Sequence, residues 1–263
     1  MKKLTSLLLT ATVLLSAQLA SAQVSVGLGA TAGTDGIGAE LGVALGSHVA
    51  FRGGYGWMPG ISYTLPVTYD VDINSPKIQG KVTGQASLNM SNFRALLDFF
   101  PGDGGFHFTV GAYYAPNDVI KVRGGGANTG ENGGFGPLPM DKSNYGAVYV
   151  GLGEGENMHK VMVDADGYAN AAIRVNALRP YVGIGFGRAI SAEKRVGFAL
   201  DLGAMYWGSP AATAIDKDTE EPFVINSALV QNEDNGLIDQ YSAYAAKVPV
   251  YPVLRMSLFV RLF

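Results

Sequence analysis

The stretch LRMSLFVRLF (254–263) puts Leu254, Met256, Leu258, Val260 and Leu262 on one side and Arg255, Ser257, Phe259 and Arg261 on the other. A period of two is strand geometry, and it gives the strand two unlike faces. The same alternation predicts eight strands in all: about 24–32, 37–45, 49–57, 93–99, 106–114, 179–187, 196–206 and 254–263. In each, one face is apolar, as with Val196, Phe198, Leu200 and Leu202, while the other carries Gly, Ser, Thr and an occasional charge such as Asp201.

The connections between these strands fall into two kinds. GSH (46–48), PGDGG (101–105) and SAEKR (191–195) are short, whereas the segments near 58–81, 115–172 and 208–249 are long and polar. With strands numbered from the N-terminus, the short turns fall at one end and the long connections at the other, the brief TDG (34–36) excepted. An antiparallel, up-and-down, eight-stranded transmembrane β-barrel with short periplasmic turns and long extracellular loops has this layout.

Composition narrows the choice. Residues 1–22 begin with Lys2 and Lys3, continue through an apolar run and end at Ala20-Ser21-Ala22, which reads as a secretory signal peptide. Residues 23–263 then form one barrel domain. There is no cysteine, so disulfides are excluded, and a net charge of −3 gives no basic footprint for nucleic acid. Beyond residue 22 no apolar run approaches the length of a membrane-spanning helix.

Two orientations remain. With the apolar faces inward, the chain is a soluble calyx of lipocalin type, but its outer strand faces would then be rich in glycine and almost free of lysine. With the apolar faces outward, hydrocarbon meets apolar side chains and the charges lie in the lumen. An Arg at the bilayer midplane costs about 2–4 kcal/mol, so the second orientation is preferred. It brings Glu40, Arg52, Arg94, Asp98, Asp201, Arg255 and Arg261 into the lumen. Buried charges are costly unless paired, so these seven are expected to form an ion-pair network. The inward glycines at 27, 29, 38, 42, 54, 56, 183, 185 and 187 would leave room for the arginine side chains. The same topology sets Tyr55, Trp57, Tyr114, Tyr206, Trp207 and Tyr251 at the loop rim and Phe99, Phe106 and Phe263 at the turn rim, as an aromatic girdle.

RPYVGIGFGRAISAEKRVGFALDLGAMYWGSP (179–210), ALLDFFPGDGGFHFTVGAYY (95–114) and YPVLRMSLFVRLF (251–263) resemble a family of small Gram-negative outer-membrane barrels of uncharacterised function, more distantly like the OmpA and OmpX barrels. The resemblance implies an outer-membrane location and no assigned activity. It also implies that the C-terminal strand is read by the barrel insertion machinery, although Phe263 is in phase with Arg261 instead of the lipid-facing residues.

Chemistry is sparse. His48, His107 and His159 show no neighbours in sequence that make a metal site. His159 with Asp164 or Asp166 is the one local candidate for a lipid A-modifying enzyme. Glycine-rich GLGATAG (27–33) and GGGANTGENGG (124–134) lack the context of a phosphate loop. Asp70, Asp72 and Asn74, and the run Asp216 to Glu221, are weak calcium candidates without the glycine of an EF-hand. No catalytic residue, metal or cofactor is expected. The expected function is structural or interactive, through extracellular loops 115–172 and 208–249, with outer-membrane lipid and lipopolysaccharide as surroundings. A channel for small or hydrophobic solutes is the alternative, and a lipid A-modifying enzyme is a further one.

Overall fold

The computed structural model describes residues 24–74, 78–126, 129–130, 134–139, 141–144, 149–152, 159–191, 193–225 and 249–263. The segment 1–22 lies outside these, as do parts of all three long connections.

Eight strands close into a barrel: β1 (Val24–Gly33), β2 (Gly36–Leu45), β3 (Val49–Trp57), β6 (Asn92–Phe99), β7 (His107–Tyr114), β12 (Leu178–Arg188), β13 (Val196–Tyr206) and β16 (Val250–Arg261). Every neighbour is antiparallel and next in sequence among the barrel strands, and β16 returns to pair with β1. The alternation does what it must: side chains of one parity turn inward and are buried, those of the other turn outward. Outward stand Leu28, Leu41, Leu97, Val110, Val182, Leu202, Leu258 and their neighbours, all exposed. Between the rims, no Asp, Glu, Lys or Arg of these strands points outward. A water-facing wall of this kind would leave a very large apolar patch bare, which soluble monomers do not do.

The tightest turn has a specific cause. Gly33 pairs with Gly36 across a two-residue loop, Thr34-Asp35. Gly36 has φ +106, and a Cβ there would strike the Trp57 carbonyl, so only glycine fits. The turn delivers Asp35 into the barrel, where it is fully buried.

The long connections do not stay irregular. They supply a second antiparallel sheet of eight strands beyond the loop rim: β4 (Ile61–Asn74), β5 (Ile78–Leu88), β8 (Asp118–Gly126), β9 (Tyr149–Leu152), β10 (His159–Met162), β11 (Ala169–Arg174), β14 (Ala211–Ile215) and β15 (Pro222–Val224). Their order is β10-β9-β4-β5-β8-β11-β14-β15. The β4–β5 register shifts between Thr64 and Thr68, around Pro66, which has no amide hydrogen to give. A bridge from Val161 to Asp216 then brings the β10 edge against the β14–β15 hairpin, so the sheet curls almost into a ring. Leu138, Val161, Val163 and Ala214 are buried in it.

Candidate functional site

The lumen is the one place where the barrel concentrates charge. At its turn end, Ala44, Ala50, Phe100, Ala189, Ile190, Ala199 and Phe259 form an apolar cluster. At its loop end lie Met90, Leu96, Tyr113, Tyr181, Met205 and Val253. An ionic band runs between the two, and its members are buried to 4% exposure or less.

Arg52, from β3, is central. Its Nε lies 2.7 Å from Asp98 Oδ2, its Nη2 donates to Asp98 Oδ1 at 2.7 Å, and its Nη1 donates to Asp201 Oδ2 at 2.8 Å. Thr109 adds a hydrogen bond to Asp98 at 2.8 Å. Arg255, from β16, donates to Asp201 at 3.2 Å and to the Tyr113 hydroxyl at 2.7 Å, with Glu40 at 3.6 Å. Arg94, from β6, donates through Nε to Glu40 and through its Nη atoms to Thr31 at 2.5 Å and Asp35 at 3.3 Å. In a dry interior such charges persist only with partners of this quality.

The sequence-derived set maps onto this band with three differences. Arg261 sits apart at the turn rim, partly exposed, and donates to the Ser191 carbonyl at 3.4 Å, because β16 ends there and the rim is open to water. Asp35 and His107 belong to the band although the expected set includes neither; the alternation does put His107 on the inward face, opposite Phe106 and Phe108. In sequence Asp35 reads as an ordinary turn residue. His107 Nε2 stands 3.0 Å from Asp201 Oδ1, and ligand atoms of Asp98, His107 and Asp201 lie within 4.8 Å of one another, so His107 does have carboxylate neighbours, brought by β6 and β13. The Arg52 guanidinium donates into both carboxylates and supplies their positive charge. Arg179 is also buried, higher in the lumen, donating to the carbonyls of Asn176 and Pro116, each at 2.7 Å.

The inward glycines make room for more than arginines. Arg94 lies against Gly38 and Gly56, but the Phe259 ring covers Gly29, Ile190 covers Gly42, and His107 lies on Gly185. A β-carbon at Gly29 would come within 2.5 Å of that ring. Gly29→Val is therefore expected to displace Phe259 and destabilise the barrel by about 1–3 kcal/mol, measured as the urea midpoint for loss of the folded form on unheated gels.

Of the expected aromatic girdle, Tyr55, Trp57, Tyr114 and Tyr206 stand exposed at the loop rim, and Phe99, Phe106 and Phe263 at the turn rim. Trp207 and Tyr251 turn inward instead, with ring centroids 5.0 Å apart, and pack on the loop-end cluster. The cause is parity, since both share the inward phase of Met205, Val253 and Arg255; at this rim Trp207 N donates to the Pro249 carbonyl and the Tyr251 hydroxyl donates to Thr34 O at 2.8 Å. Phe263 escapes the phase of Arg261 because β16 has ended, yet its carbonyl still accepts from Val26 N.

No protein-family model matches this sequence, and no curated protein matches it. Among solved structures it is similar to CarO2 of Acinetobacter baumannii (18% identity, 91% of this chain and 99% of that chain, TM-score 0.46). It is also similar to CarO of Acinetobacter baumannii (19%, 90% and 97%, 0.47) and to a major outer membrane protein from Thermus thermophilus (16%, 92% and 100%, 0.36). At these values the assignment stands on the closed strand order and apolar outer wall. The fold is that of an outer-membrane β-barrel.

Outside the barrel, His159 meets neither Asp164 nor Asp166 as its partner. It sits 3.1 Å from Asp216 and stacks on Phe223 with centroids 4.2 Å apart. Asp164 is engaged by its own turn, accepting from Asp166 N, Tyr168 N and Asn170 Nδ2. In the acidic run, Asp216 accepts from the amides of Lys160, Asp218 and Thr219, and Lys160 Nζ donates to Asp218 at 2.7 Å. These contacts latch β10 to the β14–β15 hairpin. Asp70, Asp72 and Asn74 fall in β4, with Asp70 opposite Lys81 on β5; their side chains lie outside the described residues.

The latch is acid-sensitive. Burial works against the Asp216 charge, but the three amide hydrogens and the His159 ring outweigh it and hold its pKa below the usual carboxylate value. Stabilisation from such a group is complete above the unfolded pKa, about 3.9, and disappears as pH falls through the folded one. Hydrogen-exchange protection of 159–162, corrected for intrinsic rates, is expected to drop in that acid range. In Asp216→Asn it should already be low at pH 6 and change little. An unchanged acid response in the variant would remove Asp216 from the latch.

Proposed function

We propose that this chain is an outer-membrane β-barrel with a lumen closed to solutes, and that it acts as a structural anchor displaying its second sheet to the outside. The observation that carries this reading is the pairing of an uncharged apolar wall with a lumen crossed by Arg52, Arg94 and Arg255 and their four carboxylates. Water-filled porin lumens are lined by solvated side chains, whereas here the guanidinium groups are fully enclosed. The sheet of β4, β5, β8, β9, β10, β11, β14 and β15 is the surface available to partners. Lipid and lipopolysaccharide are the proposed surroundings, and β16 is the strand offered to the insertion machinery.

Two measurements test it. Membrane fractionation should leave the protein in the outer membrane, with mobility on gels that changes on boiling. In planar bilayers the purified barrel should show no steady conductance. Recovery in the periplasm without detergent would refute the membrane reading, and stable single-channel currents would favour the solute channel.

A further inference from the structure

The geometry points to His107 as a charged member of the lumen band, an imidazolium at neutral pH that ties the band to the PGDGG turn. Both ring nitrogens face acceptors. Nε2 lies 3.0 Å from Asp201 Oδ1, and Nδ1 lies 3.1 Å from the Gly105 carbonyl. A carbonyl oxygen can only accept. The Asp201 carboxylate has no room for a proton of its own, since Oδ1 already accepts from Arg52 Nη2 at 3.0 Å and Oδ2 from Arg52 Nη1 at 2.8 Å and Arg255 Nη2 at 3.2 Å. A neutral imidazole has one N–H and one bare lone pair, and here the bare nitrogen would confront an acceptor whichever tautomer formed. The imidazolium alone donates on both sides.

Charge counting leads to the same place independently. The connected ion pairs join Arg52, Arg94 and Arg255 to Asp35, Glu40, Asp98 and Asp201, which is three positive against four negative. Among the described residues, His107 is the remaining basic group in that connected set. Its proton brings that connected set to zero, and an uncompensated buried charge is heavily penalised. The charged groups around it come from across the lumen: Asp98 from β6, Asp201 from β13, Arg52 from β3, and Arg255 of β16 through Asp201. The Phe100 ring packs 4.9 Å from the imidazole, and Arg188 of β12 lies over that same ring at 4.2 Å.

The consequence is directional. At its turn end the band is held by a removable proton, whereas elsewhere it is held by arginines that stay charged. A rise in pH that strips His107 leaves one excess negative charge and a lone pair against Gly105 O, so the turn end loosens first.

The test uses the full-length barrel refolded in detergent micelles with 15N-labelled histidine. The chain has three histidines, and His107→Gln identifies which signals belong to His107. At pH 7.5 the His107 ring is expected to show two protonated nitrogens. A spectrum with one protonated and one bare nitrogen overturns the inference. Independently, the temperature at which the folded gel form disappears should fall for the native protein between pH 7 and pH 10 by more than it does for His107→Gln. Parallel curves would also overturn it. If that variant does not fold, His48→Gln and His159→Gln, both outside the lumen, assign the remaining signals to His107 and the native spectrum decides.

Discussion

Replacing Arg52 with alanine is expected to cost about 3–5 kcal/mol of barrel stability, the range for removing one partner of a buried ion pair. The argument is one of abandoned neighbours. Arg52 bridges Asp98 and Asp201, so its loss leaves two carboxylates in the dry interior with the remaining arginines too few to serve them. Arg52→Lys should be almost as damaging, because one ammonium cannot reproduce contacts made through three guanidinium nitrogens to two acids. Urea-induced unfolding in detergent or lipid, followed by tryptophan emission, measures both. A triple replacement of Arg52, Asp98 and Asp201 by apolar residues is the informative control, since it leaves fewer stranded charges and should recover much of the loss. A change below about 1 kcal/mol in Arg52→Ala would mean that the lumen is wetter than the enclosed side chains indicate.

The second large effect lies on the opposite face. Leu202→Arg places a guanidinium midway along β13, where Leu202 stands outward between Ile184 and Leu254 of the neighbouring strands. In a bilayer this should cost about 2–4 kcal/mol, while Tyr206→Arg, at the loop rim, should cost about 0–1 kcal/mol. A soluble barrel would show neither penalty, because exposed substitutions in water stay within about 0.5 kcal/mol. The gradient from Leu202 to Tyr206, measured in lipid vesicles, therefore reads depth as well as orientation. Equal costs at the two positions would dismiss a lipid-facing wall.

The cylinder is legible in the sequence because its two environments differ as much as any two solvents a protein meets. Leu254, Met256 and Leu258 against Arg255 and Ser257 leave no doubt about period or parity. The second sheet is not legible, for the converse reason. Strands such as ANAAIR (β11) and DVIKVRGGG (β8) carry small, polar and glycine residues on both faces, so alternation has little contrast to show. Asp35 is hidden in a turn, where sequence reasoning expects solvent; only the closed hairpin reveals that it folds over the lumen. Sequence neighbours say nothing of the role of His107, because its carboxylate comes from 94 residues away. Trp207 and Tyr251 share the inward parity of Met205 and Arg255, so the alternation itself opposes a place in the outer girdle, which rests on their position at the rim alone.

The pairing of β1 with β16 also bears on how the molecule is made. Contacts between neighbouring strands, such as Asp201 with Arg255 across β13 and β16, can form early, but this join spans nearly the whole chain. Until then β1 and β16 are raw edges, and Arg255, already beside Asp201, lacks Asp35 and Glu40 of the first hairpin. Such a high contact order predicts slow, all-or-none assembly, with the half-built chain dependent on escorts that shield its unpaired strands.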